Sequence, residues 1–256
     1  MKTLFKFILL TGLRDKLYLS LLIILGGIFG LSNLVGFSAL SEETQMQLVY
    51  FSFLSRVVIV CGMILFICFY INKEFENKEI DFILSKPISR STLILSYWTS
   101  FNLISLILIV PVVLITLFFN HPNSLGLLWW CISVILEMML ISTFAIVSSL
   151  ILRSAVVSVL ATFSFYFICR MMGFFVYSIS IPKNISTAVS SWNDFAEILL
   201  KFLSSVFPRL DLYGKSEWLI YGISNMNDVW IVLIQSLIYI SLMLFVAFYD
   251  FKRKQF

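Results

Sequence analysis

Apolar residues in this chain come in long runs, each near the length that crosses a bilayer, separated by short polar clusters. A spanning helix needs about 20 mostly apolar residues, at about 1.5 Å each. The first such run is Leu17–Leu34. A second ends at Ile71, just before the charges that begin at Lys73; it reaches spanning length by starting near Leu48, which puts Arg56 in its outer part. The third runs from Thr92 to Phe119, with Pro111 expected to kink it. From Leu125 to Ser180 the apolar sequence is almost unbroken. As one helix it would measure about 84 Å, so it predicts two passes that turn at Arg153. The sixth run is Val229–Tyr249. The pattern predicts an all-α polytopic membrane protein: a single transmembrane domain over 1–256 with six transmembrane helices and both termini on one side.

Two weaker periodicities lie outside the spans. Leu4, Phe5, Ile8, Leu9 and Leu13 recur at helical spacing beside Lys2, Lys6, Arg14 and Lys16, which predicts an interfacial helix over 1–16. Phe7–Leu10 is too short for a signal-peptide core, and Arg14-Asp15-Lys16 follows it instead of a cleavage site. In the segment 181–228, Trp192, Phe195, Ile198, Leu199, Phe202, Leu203 and Val206 recur every three or four residues, and Pro208 closes the stretch. This predicts an outer amphipathic helix over 191–207, with Ser191 and Asp194 as its start signal. It either lies on the bilayer surface, covers the outer mouth of a pathway, or meets a periplasmic partner.

Composition sharpens the class. Hydrophobic residues make up 60% of the 256 positions and charged residues only 12%, against roughly 45–50% and 25% in soluble domains. A soluble enzyme, a disordered chain and a nucleic-acid-binding domain are excluded. The net charge of +4 is too small to argue for a polyanionic partner, so what matters is where the cations sit. With the N-terminus inside, six of the 18 Lys and Arg fall outside: Arg56, Arg170, Lys183, Lys201, Arg209 and Lys215. The other 12 fall inside, so both termini are expected in the cytoplasm. The four cysteines lie within apolar runs with no CxxC pair and read as buried hydrophobes. His121 is the single histidine, which argues against haem, zinc and copper chemistry. No Gly-x-Ser-x-Gly elbow or paired membrane carboxylate is present either, so no catalytic residues, no metal site and no cofactor are assigned to this chain.

Two charges inside the apolar runs are candidate translocation-path residues. Glu137 sits near the middle of the fourth span, where an acid either stabilises helix packing or lines a polar path. Arg56 either snorkels to the outer interface or lines an outer vestibule. The only Gly-Lys-Ser, Gly214-Lys215-Ser216, has Arg209 where a phosphate loop needs glycine, and no apolar strand precedes it. The chain cannot hydrolyse ATP by itself.

The segment 72–91 carries the most specific signal. Glu74, Glu76, Glu79 and Asp81 fill its first half, where acids favour a helix start, and Phe75, Phe82 and Ile83 give it an aromatic edge. Pro87 ends such a helix, and Ser89 or Ser91 can cap the third span. On the residues alone, this is either a solvated loop whose Lys86 and Arg90 fix the topology, or a short helix offered to a soluble partner's groove. The run Glu74–Arg90, ending Leu84-Ser85-Lys86-Pro87-Ile88-Ser89-Arg90, resembles the loop after the second span in permease subunits of type-2 ATP-binding-cassette (ABC) exporters. The ending Tyr249-Asp250-Phe251-Lys252-Arg253-Lys254 is similar to that family's aromatic and basic terminus. Lys78-Glu79 stand where Gly-Thr is usual, and Ser96-Tyr97 where Gly-Lys is usual.

The resemblance implies a bacterial inner-membrane permease, without enzymatic activity of its own. It implies a coupling helix in which Glu74, Phe75, Glu76, Lys78, Glu79, Asp81, Phe82, Ile83, Pro87 and Arg90 contact a cytoplasmic ATPase subunit. ATP and Mg would be bound by that ATPase, and a second permease chain, identical or different, would complete the unit. The alternatives are an ATPase-independent secondary transporter or channel, and a non-transport assembly or immunity scaffold.

Overall fold

The computed structural model describes residues 2–38, 42–80, 89–118, 123–152, 154–180, 198–199, 202–203, 206–223 and 225–253. Its helices are α1 (Lys2–Leu13), α2 (Lys16–Phe37), α3 (Glu43–Glu76), α4 (Arg90–Phe118), α5 (Ser124–Ile151), α6 (Ala155–Ser180), α7 (Glu217–Tyr221) and α8 (Met226–Arg253), with a 3-10 turn at Leu210–Leu212. No strand occurs among the described residues. Six helices, α2 to α6 and α8, are long and apolar enough to cross a membrane. The chain is an all-α polytopic membrane protein.

Local chemistry sets the boundaries. The Asp15 carboxylate accepts from the Leu17 backbone N–H at 3.0 Å and caps α2. Ser89, the first of the two expected caps, accepts from Thr92 N at 3.2 Å at the start of α4. Asn123 accepts from Gly126 N at 3.2 Å and caps α5. The expected turn near Arg153 is real, since α5 ends at Ile151 and α6 starts at Ala155; Arg153 itself lies outside the described residues. Pro111 sits within α4, which continues past it.

The second span differs from expectation. It does not stop at Ile71, because α3 runs on to Glu76 and covers 34 residues, about 51 Å. That exceeds the ~30 Å hydrocarbon core by several turns. Lys, Glu and Phe are compatible with a helix, so nothing ends α3 before Asn77 and Lys78. The acids at Glu74 and Glu76 therefore close a helix instead of opening one, and Lys73 offsets them in the same turn. The connection to α4 shrinks to residues 77–89, of which 81–88 lie outside the described residues.

The central element is α5. It packs against α3, α4, α6, α7 and α8, whereas α2, α6 and α8 keep broad apolar faces outward. Hydroxyl and amide side chains bridge the helices in the buried half nearest the termini. Trp98 Nε1 donates to Thr143 Oγ1 at 2.8 Å, Ser142 Oγ to Asn102 Oδ1 at 2.8 Å, and Ser148 and Thr162 share a hydrogen at 2.9 Å. In lipid such bonds hold helices that hydrophobicity alone cannot select. α1 does more than lie along an interface. Its Ile8 is buried, its Gly12 packs between Ile104 and Phe66, and its Phe5 carbonyl accepts from Ser100 at 3.4 Å.

Of the expected outer helix, residues 198–199, 202–203 and 206 are helical, with Ile198, Leu199, Phe202 and Val206 exposed. Trp192, Phe195, Ser191 and Asp194 lie outside the described residues. The chain after Pro208 turns inward: Leu210, Leu212, Tyr213 and Gly214 are buried, and α7 docks on the start of α5. There the Leu219 carbonyl accepts from Asn123 N at 3.1 Å. A Cβ on Gly126 would overlap the Trp218 carbonyl. Gly126→Ala is therefore expected to cost about 1–3 kcal/mol and lower the melting temperature in a thiol-probe or tryptophan-fluorescence assay. Gly26→Ala, where a Cβ meets nothing within 4 Å, is expected to leave it unchanged or raise it.

Candidate functional site

Two polar loci stand out in the apolar bundle, one at each end of α3. The end nearest the chain termini carries the residues of the resembling loop. Glu74 is 5% exposed and accepts a hydrogen bond from the Tyr97 hydroxyl. Tyr97 is fully buried and stacks on Phe101 with ring centroids 5.9 Å apart. Glu74 thus clasps α3 to α4 and is withdrawn from the surface, contrary to its expected place in a partner contact. Phe75 is half-buried, while Glu76, Lys78 and Glu79 are exposed. Asn77 Nδ2 donates to Glu79 Oε1 at 3.1 Å across the turn, and Lys78 adopts φ +56°, the left-handed region. Asp81, Phe82, Ile83 and Pro87 lie outside the described residues.

Arg90 is also committed within the chain. Its Nη1 donates to the carbonyls of Phe251 at 3.1 Å and Lys252 at 3.2 Å, capping α8 from the start of α4. Beside Glu74 a cleft of ≈ 140 Å³ opens between α1 and α3, lined by Phe7, Asp15, Tyr70, Lys73, Glu74 and Glu79 among others. Arg14, Lys16, Lys73, Lys78, Lys252 and Arg253 are exposed around this end.

The second locus lies towards the opposite end. Arg56 of α3 is 2% exposed and does not reach an interface, so neither snorkelling nor an open vestibule describes it. Its Nη1 donates to the carbonyls of Tyr213, at 2.9 Å, and Gly214. Arg170 of α6 donates to the carbonyls of Leu210 and, at 3.1 Å, Tyr213. Between the two guanidiniums sits the fully buried Glu137 of α5. Its Oε2 is 3.8 Å from Arg56 Nε and its Oε1 is 3.6 Å from Arg170 Nη1. No direct hydrogen bond reaches either carboxylate oxygen among the described residues. The inward segment is pinned further by Gly214 N donating to Ser133 Oγ at 3.0 Å. The Tyr213 hydroxyl lies 2.7 Å from Ser236 Oγ and 3.2 Å from the Val232 carbonyl. Burial pushes the Tyr213 phenol up, which keeps its proton in place to donate. Gly214, at φ +56°, has no room for a Cβ because Arg56 fills the space.

The structure therefore brings Arg56 and Glu137 together and adds Arg170, Ser133, Tyr213 and Gly214, which sequence reasoning did not assign. One signal was available: Arg170, like Arg56 and Glu137, lies within an apolar run, where an ionisable group needs a partner. No protein-family model matches this chain, and no characterised protein matches it in sequence. Because Tyr97 is one of the hydrogen-bond partners of buried Glu74, Tyr97→Phe is expected to cost about 1–3 kcal/mol. In an SDS-unfolding double-mutant cycle with Glu74→Gln, the two changes are expected to be non-additive.

Proposed function

We propose that this chain is the permease subunit of a type-2 ABC exporter in a bacterial cytoplasmic membrane. ATP and Mg act on a separate cytoplasmic ATPase subunit, and a second permease chain completes the transporter. What carries the reading is the Arg90 bond to the Phe251 and Lys252 carbonyls. It joins, at one end of the bundle, the two segments on which the family resemblance rests.

Two further observations support it. The turn after α3 uses a left-handed residue at Lys78, the position where the family has glycine and where that backbone favours glycine. The turn survives although its usual residue does not. The distribution of exposed cations among the described residues also favours a cytoplasmic location for this end. At the opposite end Arg56 and Arg170 flank Glu137, Arg209 pairs with Asp211 at 2.9 Å, and Lys215 pairs with Asp228 at 2.8 Å. Arg14, Lys16, Lys73, Lys78, Lys252 and Arg253, near the termini, are exposed.

In this reading, Glu76, Lys78, Glu79 and the rest of the connection to Arg90 form the surface that the ATPase grips. Closure of two ATPases around ATP moves that connection. Because α3 is one unbroken helix, the displacement is carried from Glu76 to Arg56, 20 residues or about 30 Å away. The bundle then changes between two packings.

Co-purification with a candidate ABC ATPase subunit tests the assignment. The solubilised wild type is expected to retain the ATPase. The combined variant Phe75→Ala, Phe82→Ala, Glu76→Lys and Glu79→Lys is expected to lose it while keeping a monodisperse elution profile. Undiminished retention by that variant would contradict the assignment. Lys78→Gly, which relieves a cost of about 1 kcal/mol at a left-handed position, is expected to bind at least as well as wild type, whereas Lys78→Val is expected to weaken binding.

A further inference from the structure

The cleft between α1 and α3 is graded in polarity along its length. Phe66, Phe69, Tyr70, Lys73 and Glu74 follow one another at helical spacing on one face of α3, and all five line it. From Phe66 to Lys73 is seven residues, about 10 Å along the axis. One half of the cleft is therefore aromatic, and the half next to the turn at Lys78 is charged. α1 and its junction with α2 supply Phe7, Thr11, Asp15 and Leu17 to the facing wall. Phe7, Leu17 and Phe69 are exposed, so the apolar half is open along the side of the bundle, where acyl chains lie. This order, apolar towards the bilayer and polar towards its surface, is that of an inserted amphiphile.

The charged half selects by its balance. Three carboxylates, those of Asp15, Glu74 and Glu79, stand around one ammonium, that of Lys73. Two of the three are fixed in advance: Glu74 by the Tyr97 and Tyr70 hydroxyls, and Asp15 by the Leu17 N–H that it caps. Three acids against one base repel a headgroup that is only anionic. They suit a headgroup carrying both signs, its cation towards the carboxylates and its phosphate towards Lys73. A primary ammonium brings three N–H donors for charge-assisted bonds to the carboxylates. A quaternary ammonium brings none and is left with the aromatic faces alone.

We propose that this cleft binds a phospholipid with a primary-ammonium headgroup. The ammonium sits among Asp15, Glu74 and Glu79, the phosphate lies beside Lys73, and an acyl chain runs along Phe66 and Phe69. At ≈ 140 Å³ the cleft admits a small headgroup, and the rest of the lipid lies over the exposed Phe69 and Leu17. Arg14 and Lys16, exposed close by, draw anionic lipids to the same surface, so preference among headgroups decides the matter. The site requires the membrane but no ATPase, and it stands or falls apart from the transporter reading.

Native mass spectrometry of the full chain, delipidated in detergent and without ATPase, tests the site. Three phospholipids with identical acyl chains are titrated: phosphatidylethanolamine, phosphatidylcholine and phosphatidylglycerol. The ethanolamine lipid is expected to bind the wild type about tenfold or more tightly than either of the others, the worth of one charge-assisted hydrogen bond. Asp15→Asn combined with Glu79→Gln removes two charges but keeps a cap for α2 and an acceptor for Asn77. That variant is expected to bring the preference over the choline lipid to within about twofold at an unchanged melting temperature. Glu42→Gln combined with Glu217→Gln, two exposed acids at the opposite end, is expected to leave the preference intact. Equal binding of the three lipids by the wild type, or tighter binding of phosphatidylglycerol, would overturn the proposal, and neither result depends on a variant folding. An undiminished preference in the Asp15→Asn, Glu79→Gln variant would overturn the placement of the lipid in this cleft. Loss of the ATPase in co-purification bears only on the transporter reading, because no ATPase enters this measurement.

Discussion

A polar group inside a bilayer has no water to turn to, so every charge and carbonyl placed there must be met by the protein itself. In this chain that demand converges on Glu137. Two guanidiniums enter the apolar bundle from α3 and α6 to hold carbonyls of the segment between α6 and α8, and one carboxylate on α5 sits between them and offsets one of the two charges. Removing one partner of such a buried group typically costs about 3–5 kcal/mol. The inward course of Leu210–Gly214 is held by those arginine bonds together with the burial of Leu210, Leu212 and Tyr213.

The same demand is met differently at the other end. There the bundle is bridged by neutral groups, Trp98 to Thr143, Ser142 to Asn102 and Ser148 to Thr162, and by the clasp of Tyr97 on Glu74. The first three need no counter-charge, and Arg14, Lys16, Lys73, Lys78, Lys252 and Arg253 remain at the surface. α3 belongs to both regions. It runs without interruption from Arg56 to Glu76, just before the exposed turn at Lys78.

The spans were legible in the sequence because lipid allows little else: apolar length alone located all six to within a few residues at most boundaries. The end of α3 was not. Lys73-Glu74-Phe75-Glu76 reads equally well as the end of one helix or the start of another, and the choice is made by Glu74 finding Tyr97 on α4, which no local pattern records. The charged site was half legible. Glu137 and Arg56 announced themselves by their cost, but their partnership spans 81 positions of sequence. The segment 208–222 shows no regular periodicity, and part of its hold comes from backbone carbonyls that every residue possesses. Arg90 shows the opposite case: it looked like a surface residue of the loop and proved to cap α8.

The central claim is that this chain offers one end of its bundle to an ATPase and keeps the other end clamped. Hydrogen exchange of the full chain in nanodiscs, compared with and without the ATPase in the absence of nucleotide, tests it most directly. The account predicts new protection over residues 73–90 and none over 208–222. Protection confined to 208–222, or no change over 73–90 at saturating ATPase, would contradict it.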